Sequence, residues 1–520
     1  MHGPRIDRVI FWVALPLIAG VSVPLVLFPV EGEALLSAAF GWLTRVLGWA
    51  YLWFTIAAFA LLVYYALGKY GNVRFGGPDA KPEFSLVSWI AMIFCAGIGA
   101  SVLYWGTIEW VYYYTNPPFG LEPRSREATE WAATYGLFHW GFTAWAIYCI
   151  PTLPLAYLFW NRGRPILRMS AACEGVIGER AARSLPGKFI DMMFMFGLLG
   201  GVGTSIGLST PMISAGLSEL LGVARGFWLD AAVVITLGVI FGVSVYTGLQ
   251  RGIRMLSRFN LWLTIALLAF VFLAGPTLFI IDTFTNSVGL LVQNFIKMSF
   301  YLDPVAKAES MILAAGESGP ASAGTFSEQW TIFYWAWWLS WAPFVGLFIA
   351  RVSRGRTVRQ LVGCMLAVPV LLAALWMNAF GATALSMYID GGLSGVVEAV
   401  EAGRLELALF SLLEVLPFGG VTSGIAIVLV AVFFITSSDS GSLVIDTITA
   451  GGKLDAPVAL RVFWCTFEGL VAITLLVSGG LVALQTAALV TGLPFALVLL
   501  AMCLSTWKGL RAAVREGGAG

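Results

Sequence analysis

Long runs of apolar residues, separated by short polar or charged segments, dominate the sequence. A membrane-spanning helix needs about 20 mostly apolar residues, and about twelve segments meet that requirement. The predicted spans are 9–30, 48–67, 86–114, 131–159, 189–221, 228–249, 259–282, 328–350, 360–386, 405–446, 459–479 and 482–506. The tenth is long and is predicted to break near Pro417. No strand alternation at barrel spacing is present, so the pattern predicts an all-α integral membrane protein.

Composition agrees with a membrane location. Hydrophobic residues make up 59% of the chain and charged residues 11%, and the formal net charge is +1. These values exclude a soluble enzyme and a nucleic-acid-binding protein. The six cysteines are scattered without a CxxC motif and there are two histidines. The sequence therefore indicates neither a disulfide framework nor a Cys/His metal site.

Lysine and arginine in the connecting loops predict the orientation. Most of the 30 basic residues fall on the side that carries the N-terminus, which predicts that this side is cytoplasmic. An even number of spans brings the C-terminus to the same side. We therefore expect a multi-pass protein of a prokaryotic cytoplasmic (inner) membrane, with both termini inside the cell.

Two predicted spans contain residues that interrupt helices. Gly97 and Gly99 allow the third span to unwind, and Pro343 kinks the eighth. Interrupted helices in corresponding positions of two repeats are the best sequence pointer to a transporter site. These two spans are five apart, which predicts two five-helix repeats of inverted topology after two extra helices. The predicted units are 1–85 (tail and extra helices), 86–285 (first repeat), 286–327 (amphipathic segment and outer loop), 328–506 (second repeat) and 507–520 (short cytoplasmic tail).

Aromatic residues cluster inside the third, fourth and eighth spans. The residues are Trp337, Trp338, Trp341, Trp140, Trp145, Tyr148 and Tyr112. Tryptophan and tyrosine often form an interfacial belt, but several of these rings lie well within the spans. A group of aromatic faces can hold a cation without a carboxylate, and no acidic residue adjoins the tryptophans in the sequence. This pattern predicts a cage for a quaternary ammonium or sulfonium group.

Hydroxyl groups crowd the tenth span between 436 and 442. Sodium prefers oxygen ligands, and such groups are costly in a membrane unless they are used. Thr436 and Ser437 are predicted to face the carbonyl groups of Cys95 and Ile98 in the unwound third span. Alternatively, these hydroxyls bond back to their own helix. We expect the intramembrane acids Glu109 and Asp439 to be structural, with a proton relay as the alternative.

Three longer motifs carry a resemblance to a known family. The most specific is WTIFYWAWWLSWAPF at 330–344, which is followed by RVSRGRT at 351–357; YYYTNPPFG at 112–120 and FHW at 138–140 support it. Along almost its whole length the chain resembles the betaine/carnitine/choline transporter family. The resemblance implies a LeuT-like inverted-repeat fold, a transporter rather than an enzyme, and a homotrimer with 286–301 in the subunit contact.

The resemblance also implies roles for individual residues. Trp337, Trp338, Trp341, Trp140 and Tyr112 would form the central aromatic box, and Trp145 and Tyr148 would line the route to it. Phe433, Thr436 and Ser437 match the spacing of a sodium site in sodium-coupled betaine carriers. Phe344 matches a second site, for which Thr204 and Ser205 are the nearest hydroxyl candidates. Sodium-independent carnitine exchangers have an arginine where this chain has Asn260.

These features together predict a sodium-coupled importer of a compact onium zwitterion, such as glycine betaine, that works by alternating access within the lipid bilayer. No cofactor is expected besides sodium as the coupling ion, and no nucleic-acid partner. Sodium-independent exchange, or a carrier for dimethylsulfoniopropionate, carnitine or choline, remains open. A channel or a receptor for the same ligand is the alternative outside the transporter class.

Overall fold

The chain is helical over almost all of the part that the structure describes. A computed structural model describes residues 7–163, 166–247, 252–309, 324–392, 394–452, 456–478, 486–487, 489–490 and 492–517. Within these ranges the elements are helices joined by turns and short connections, with one isolated β-bridge between Arg74 and Thr357. The predicted all-α class is therefore confirmed.

Sixteen longer helices are labelled here in chain order. The first eight are α1 (Arg8–Leu27), α2 (Pro29–Leu67), α3 (Leu86–Ile98), α4 (Ser101–Thr115), α5 (Arg126–His139), α6 (Phe142–Asn161), α7 (Leu185–Leu221) and α8 (Phe227–Thr247). The second eight are α9 (Gly252–Ala274), α10 (Thr277–Phe300), α11 (Ile332–Val352), α12 (Val358–Ile389), α13 (Ala408–Val415), α14 (Gly419–Thr449), α15 (Val458–Ser478) and α16 (Gly492–Gly517).

Several of these helices are long and apolar enough to cross a bilayer. Among the described residues there are eight such spans, or nine when the bent pair α3 and α4 is taken as one. The protein is therefore a multi-pass membrane protein, while twelve spans and the inverted repeats remain predictions. The break expected near Pro417 is present, because α13 ends at Val415 and Phe418 adopts a left-handed conformation (φ 59°) before α14.

Two boundaries differ from the predicted spans. The span predicted over 131–159 is confirmed as one candidate span, Arg126–Asn161, but it contains an interruption, because α5 ends before Trp140 and α6 begins after Gly141. A Cβ atom on Gly141 would lie 2.5 Å from the carbonyl oxygen of Leu137, so this junction requires glycine. The span predicted over 259–282 ends earlier, at Ala274, since Pro276 has no N–H to continue the helix. The amphipathic helix consequently begins at Thr277 rather than at 286.

Helices α6 and α11 lie at the centre of the bundle. In the most apolar windows of Arg126–Asn161 and Ser327–Val352, 83% of the residues are buried inside the protein, against 28% for α1. Close approach depends on small residues, as is usual for membrane helices. A Cβ atom on Gly346 of α11 would lie 2.5 Å from the Cγ atom of Pro151 in α6.

A short clasp of hydrogen bonds joins two loops that are far apart in the sequence. The segment 73–75 follows α2, and the segment 355–358 follows α11. The N–H groups of Phe75, Val358 and Gly355 donate to the carbonyls of Arg356, Val73 and Phe75, each at 2.9 Å. The Arg74 guanidinium also donates to the Gly355 carbonyl at 2.6 Å. The clasp thus ties the end of the two N-terminal helices to the loop between α11 and α12.

Replacement of Gly346 by alanine tests the central packing. We expect Gly346→Ala to lower the free energy of unfolding by about 1–3 kcal/mol, because the added methyl group has no room against Pro151. Gly363→Ala in α12 is the control, since no atom lies within 4 Å of a Cβ atom there, and it should leave stability unchanged or raise it. The measurement is thermal unfolding of the purified protein in detergent, and equal melting temperatures for both variants would contradict the packing argument.

Candidate functional site

The candidate site is built around an interruption between α3 and α4. Gly99 has φ +59° and ψ −162°, which only glycine adopts readily, and the two helices are bent by 54°. Gly97 is still within α3, where a Cβ atom would lie 2.5 Å from the Cη2 atom of Trp145. The interruption predicted at Pro343 is absent, because α11 runs through it. Proline removes a single backbone donor, which a membrane helix tolerates when its neighbours compensate.

A cavity with mainly aromatic walls adjoins this interruption. Its non-aromatic wall comes from Gly97, Ile98, Ala100 and Ser101 at the α3–α4 break and from Leu208 of α7. Its aromatic wall consists of Trp140, Tyr148, Tyr334, Trp337, Trp338 and Trp341. These rings come from α6, from α11 and from the junction between α5 and α6. A break in one helix and a junction between two others therefore meet at one cavity.

Trp338 occupies the centre of the aromatic wall. Its ring centroid lies 4.6 Å from that of Tyr148 and 5.6 Å from that of Trp140, with the Trp140 ring nearly perpendicular to it. Tyr334 and Trp337 stack with their rings 21° apart and their centroids 5.9 Å apart. Ring pairs at these separations are mutually stabilising, so all the rings of the wall except Trp341 form a packed unit.

Two of the predicted site residues lie elsewhere. Trp145 is fully buried behind the wall, with its ring 5.6 Å from Tyr148 and 6.1 Å from Trp338. Tyr112 packs against Trp330, at 4.9 Å between ring centroids, and is not among the residues that line the cavity. Tyr112 lies eleven residues after Ser101, about three turns further along α4, which places it beyond the cavity wall.

Tyr334 lines the cavity but was not among the predicted site residues. Its position four residues before Trp338 places both rings on one face of α11. That spacing could have identified it, because the whole segment 334–341 repeats aromatic residues at intervals of three and four.

An acidic residue also lies behind the aromatic wall, which corrects the expectation that no acid accompanies the tryptophans. Glu109 of α4 accepts hydrogen bonds at Oε2 from the Trp140 indole N–H (2.9 Å) and from the Tyr334 hydroxyl (2.6 Å). Its Oε1 accepts from the Tyr113 hydroxyl at 2.6 Å. The sequence could not reveal this contact, because Glu109 is far from both cavity residues along the chain.

The hydroxyl-rich part of α14 faces the α3–α4 break. A Cβ atom on Gly99 would lie 3.2 Å from the Oγ of Ser437, which is buried without a hydrogen-bond partner in the described part of the chain. Thr436 donates to the carbonyls of Val432 (2.9 Å) and Phe433 (3.1 Å) of its own helix. The Ile98 carbonyl accepts from the Ser101 hydroxyl.

The other predicted ion-site residues have different surroundings. Asn260 of α9 donates through Nδ2 to the Sγ of Cys95 at 3.6 Å, so α9 also contacts α3. Phe433 packs against Phe94, with 6.1 Å between ring centroids. Phe344 packs against Trp341 at 5.5 Å. The side chains of Thr204 and Ser205 lie outside the described part of the structure.

A cavity beside a broken helix, within a bundle of membrane-spanning helices, is typical of secondary transporters. Comparison with known proteins agrees with that class. The family model described as "BCCT, betaine/carnitine/choline family transporter" matches residues 9–515. The chain belongs to this family, as the sequence motifs predicted.

Individual relatives are similar over nearly their whole length. A glycine betaine/proline/choline transporter of Vibrio parahaemolyticus is 38% identical over 505 residues, which cover 93% of this chain and 86% of the relative. The glycine betaine transporter OpuD of Bacillus subtilis is 36% identical over 507 residues, which cover 98% of this chain and 95% of the relative. Both relatives are transporters from bacteria.

Proposed function

We propose that this chain carries a compact onium zwitterion of the glycine betaine type across the bacterial cytoplasmic membrane. The aromatic cavity beside the α3–α4 break is the observation that supports this substrate class. The names of the two relatives, which include glycine betaine, point to the same substrate. Dimethylsulfoniopropionate, carnitine and choline share the onium group and are the alternative substrates.

The chemistry of the onium group suits an aromatic wall. A cation that contacts a ring face away from water gains about 2 kcal/mol from the ring quadrupole. A trimethylammonium or dimethylsulfonium group has no N–H, so it leaves no buried donor unpaired among the rings. A primary amine would leave such donors without acceptors, at a cost of about 1–3 kcal/mol each. The cavity therefore favours fully methylated cations.

Hydrogen-bond donors near the same cavity suit the carboxylate of a zwitterionic substrate. The Nε1 of Trp338 is buried and has no partner among the described residues. Helix α4 begins at Ser101, on the cavity wall, and a helix N-terminus offers backbone N–H groups and the positive end of its dipole. A substrate carboxylate could accept from these donors. Choline has no carboxylate, which favours glycine betaine over choline.

Coupling to sodium is the second part of the proposal. The unpartnered Ser437 oxygen lies against Gly99, and the last carbonyls of an interrupted helix lack intrahelical donors. The Oδ1 of Asn260, whose amide reaches Cys95, is also buried and unpartnered among the described residues. Such oxygens are the ligands that sodium prefers. A neutral asparagine, where carnitine exchangers have an arginine, also favours symport, and sodium-independent exchange is the alternative.

We also propose alternating access rather than a channel as the mechanism, because a channel would need a continuous polar lining. We further propose a homotrimer with α10 in the subunit contact, and both termini in the cytoplasm.

Uptake of labelled glycine betaine by proteoliposomes, with and without a sodium gradient, tests the function as a whole. A receptor would bind the compound without accumulating it.

Replacement of Trp338 tests the aromatic wall. Trp338→Leu keeps an apolar side chain but removes the ring, and we expect glycine betaine to bind about 1–2 kcal/mol more weakly, which is roughly 5- to 30-fold. Trp338→Phe should lose less, since it keeps a ring. Trp12→Leu on the exposed face of α1 is the control. Unchanged affinity of purified Trp338→Leu in equilibrium binding would refute the role of this ring.

The degree of methylation should decide which compounds compete. Glycine betaine should inhibit uptake of its labelled form most strongly, dimethylglycine less and glycine least, because each remaining N–H lacks an acceptor among the rings. The measurement is the inhibition constant of each compound in proteoliposomes at constant sodium. If glycine competes as well as glycine betaine, the cavity does not recognise the onium group.

Loss of a hydroxyl group at the α3–α4 break should weaken the binding of sodium. We expect Ser437→Ala and Thr436→Ala to raise the sodium concentration for half-maximal uptake several-fold, and by reciprocity to lower substrate affinity at a fixed sodium concentration. Thr447→Ala is the control, because this hydroxyl lies ten residues beyond Ser437, about 15 Å further along α14 from the α3–α4 break. Equal uptake by the wild type in sodium and in potassium would instead favour exchange.

A further inference from the structure

A buried polar network lies directly behind the aromatic wall. Its centre is Glu109, which is 1% exposed and accepts hydrogen bonds from Trp140, Tyr334 and Tyr113. Two of these three donors belong to residues that line the cavity. One hydrogen bond therefore separates the carboxyl group from each of two cage rings.

The hydrogen bonds suit an ionised carboxylate. An indole N–H can only donate, and a carboxylate oxygen accepts more than one hydrogen bond. The Nδ1 of His139 lies 2.7 Å from the Tyr113 hydroxyl, and its Nε2 lies 3.1 Å from the Thr331 hydroxyl. A neutral His139 that donates from Nδ1 leaves the Tyr113 proton free to point at Glu109. The same Nδ1 lies 3.7 Å from Oε1 of Glu109, and in this arrangement its proton goes to the Tyr113 oxygen. Trp140, Tyr334 and Tyr113 then all donate to the carboxylate, as a buried charge requires.

The network reaches a ring that lies between two helices. Trp140 follows the last residue of α5 and precedes α6, and its indole N–H donates to Glu109 at 2.9 Å. Tyr334 is held at its hydroxyl by the same carboxylate oxygen and stacks on Trp337. The carboxylate thus links rings from two separate parts of the chain.

We propose that Glu109 is a positioning residue that orients Trp140 and Tyr334 and places a negative charge behind them, so that the cage distinguishes an onium cation from an uncharged group of the same shape. This inference rests on the proposed function of the cavity. An indole that donates to an anion is polarised towards greater electron density on its ring, which strengthens its attraction for a cation. The charge itself also attracts the cation across a medium of low dielectric constant.

A pair of isosteric compounds isolates this effect. Glycine betaine and 3,3-dimethylbutanoate share shape and carboxylate, but the second has carbon in place of the quaternary nitrogen. The ratio of their dissociation constants measures how strongly the cage recognises the positive charge. We expect Glu109→Gln to reduce this preference roughly 5- to 30-fold, mainly through weaker binding of glycine betaine. Glu109→Asp, which keeps the charge, should retain more of the preference than Glu109→Gln.

Asp191→Asn is the matched control. Asp191 is likewise fully buried, and it accepts hydrogen bonds from Arg168 (2.8 Å) and Ser170 (2.8 Å), away from the cavity. Its replacement removes a buried carboxylate without touching the cage, so the ratio should stay at the wild-type value.

If Glu109→Gln does not fold, Tyr334→Phe is the deciding variant, because it removes one donor to Glu109 and keeps the ring. It should lower the preference for the cation by more than twofold.

The outcomes separate the two proposals. A wild-type protein that prefers glycine betaine, together with an unchanged ratio in Glu109→Gln or, failing that, in Tyr334→Phe, overturns the role of Glu109 and leaves the proposed function intact. A wild-type protein that binds both compounds equally overturns the proposed onium cavity, and this inference with it. Equal changes of the ratio in Glu109→Gln and Asp191→Asn would mean that Glu109 acts only through general stability.

Discussion

A polypeptide in a bilayer must satisfy its backbone N–H and carbonyl groups internally, and this constraint shapes the whole molecule. An interrupted helix is tolerable only where protein or an enclosed cavity surrounds it. The α3–α4 break at Gly99 and the α5–α6 junction at Trp140 both meet this condition. At these two interruptions the freed backbone groups and the cavity therefore occur together.

The same constraint explains the composition of the cavity. Polar side chains inside a membrane protein need partners, and Glu109 has three, all of them supplied by aromatic residues. Rings with a polar atom, such as those of Trp140 and Tyr334, can face an apolar space while they satisfy a carboxylate on the other side. A wall of phenylalanine or leucine could not do both.

The sequence predicts those structural features that depend on residues close together along the chain. The break at Gly99, the tryptophans of α11 and the hydroxyls near Ser437 follow from local spacing, and the family follows from the motif at 330–344. The junction at Gly141 was missed, because apolar residues on both sides of it read as one continuous span. The contacts of Glu109 were missed for a different reason: they join α4 to Trp140 and Tyr334, and nothing local indicates which distant rings meet.

The clasp between the loops 73–75 and 355–358 restricts how the bundle could rearrange. Three backbone hydrogen bonds and the Arg74 contact hold these loops together, and each bond would have to break for them to separate. Separation of the loop after α2 from the loop after α11 would cost about 0.5–1.5 kcal/mol for each of these bonds. A rearrangement that keeps the bonds would move the end of α2 together with α11, the helix that carries Trp338.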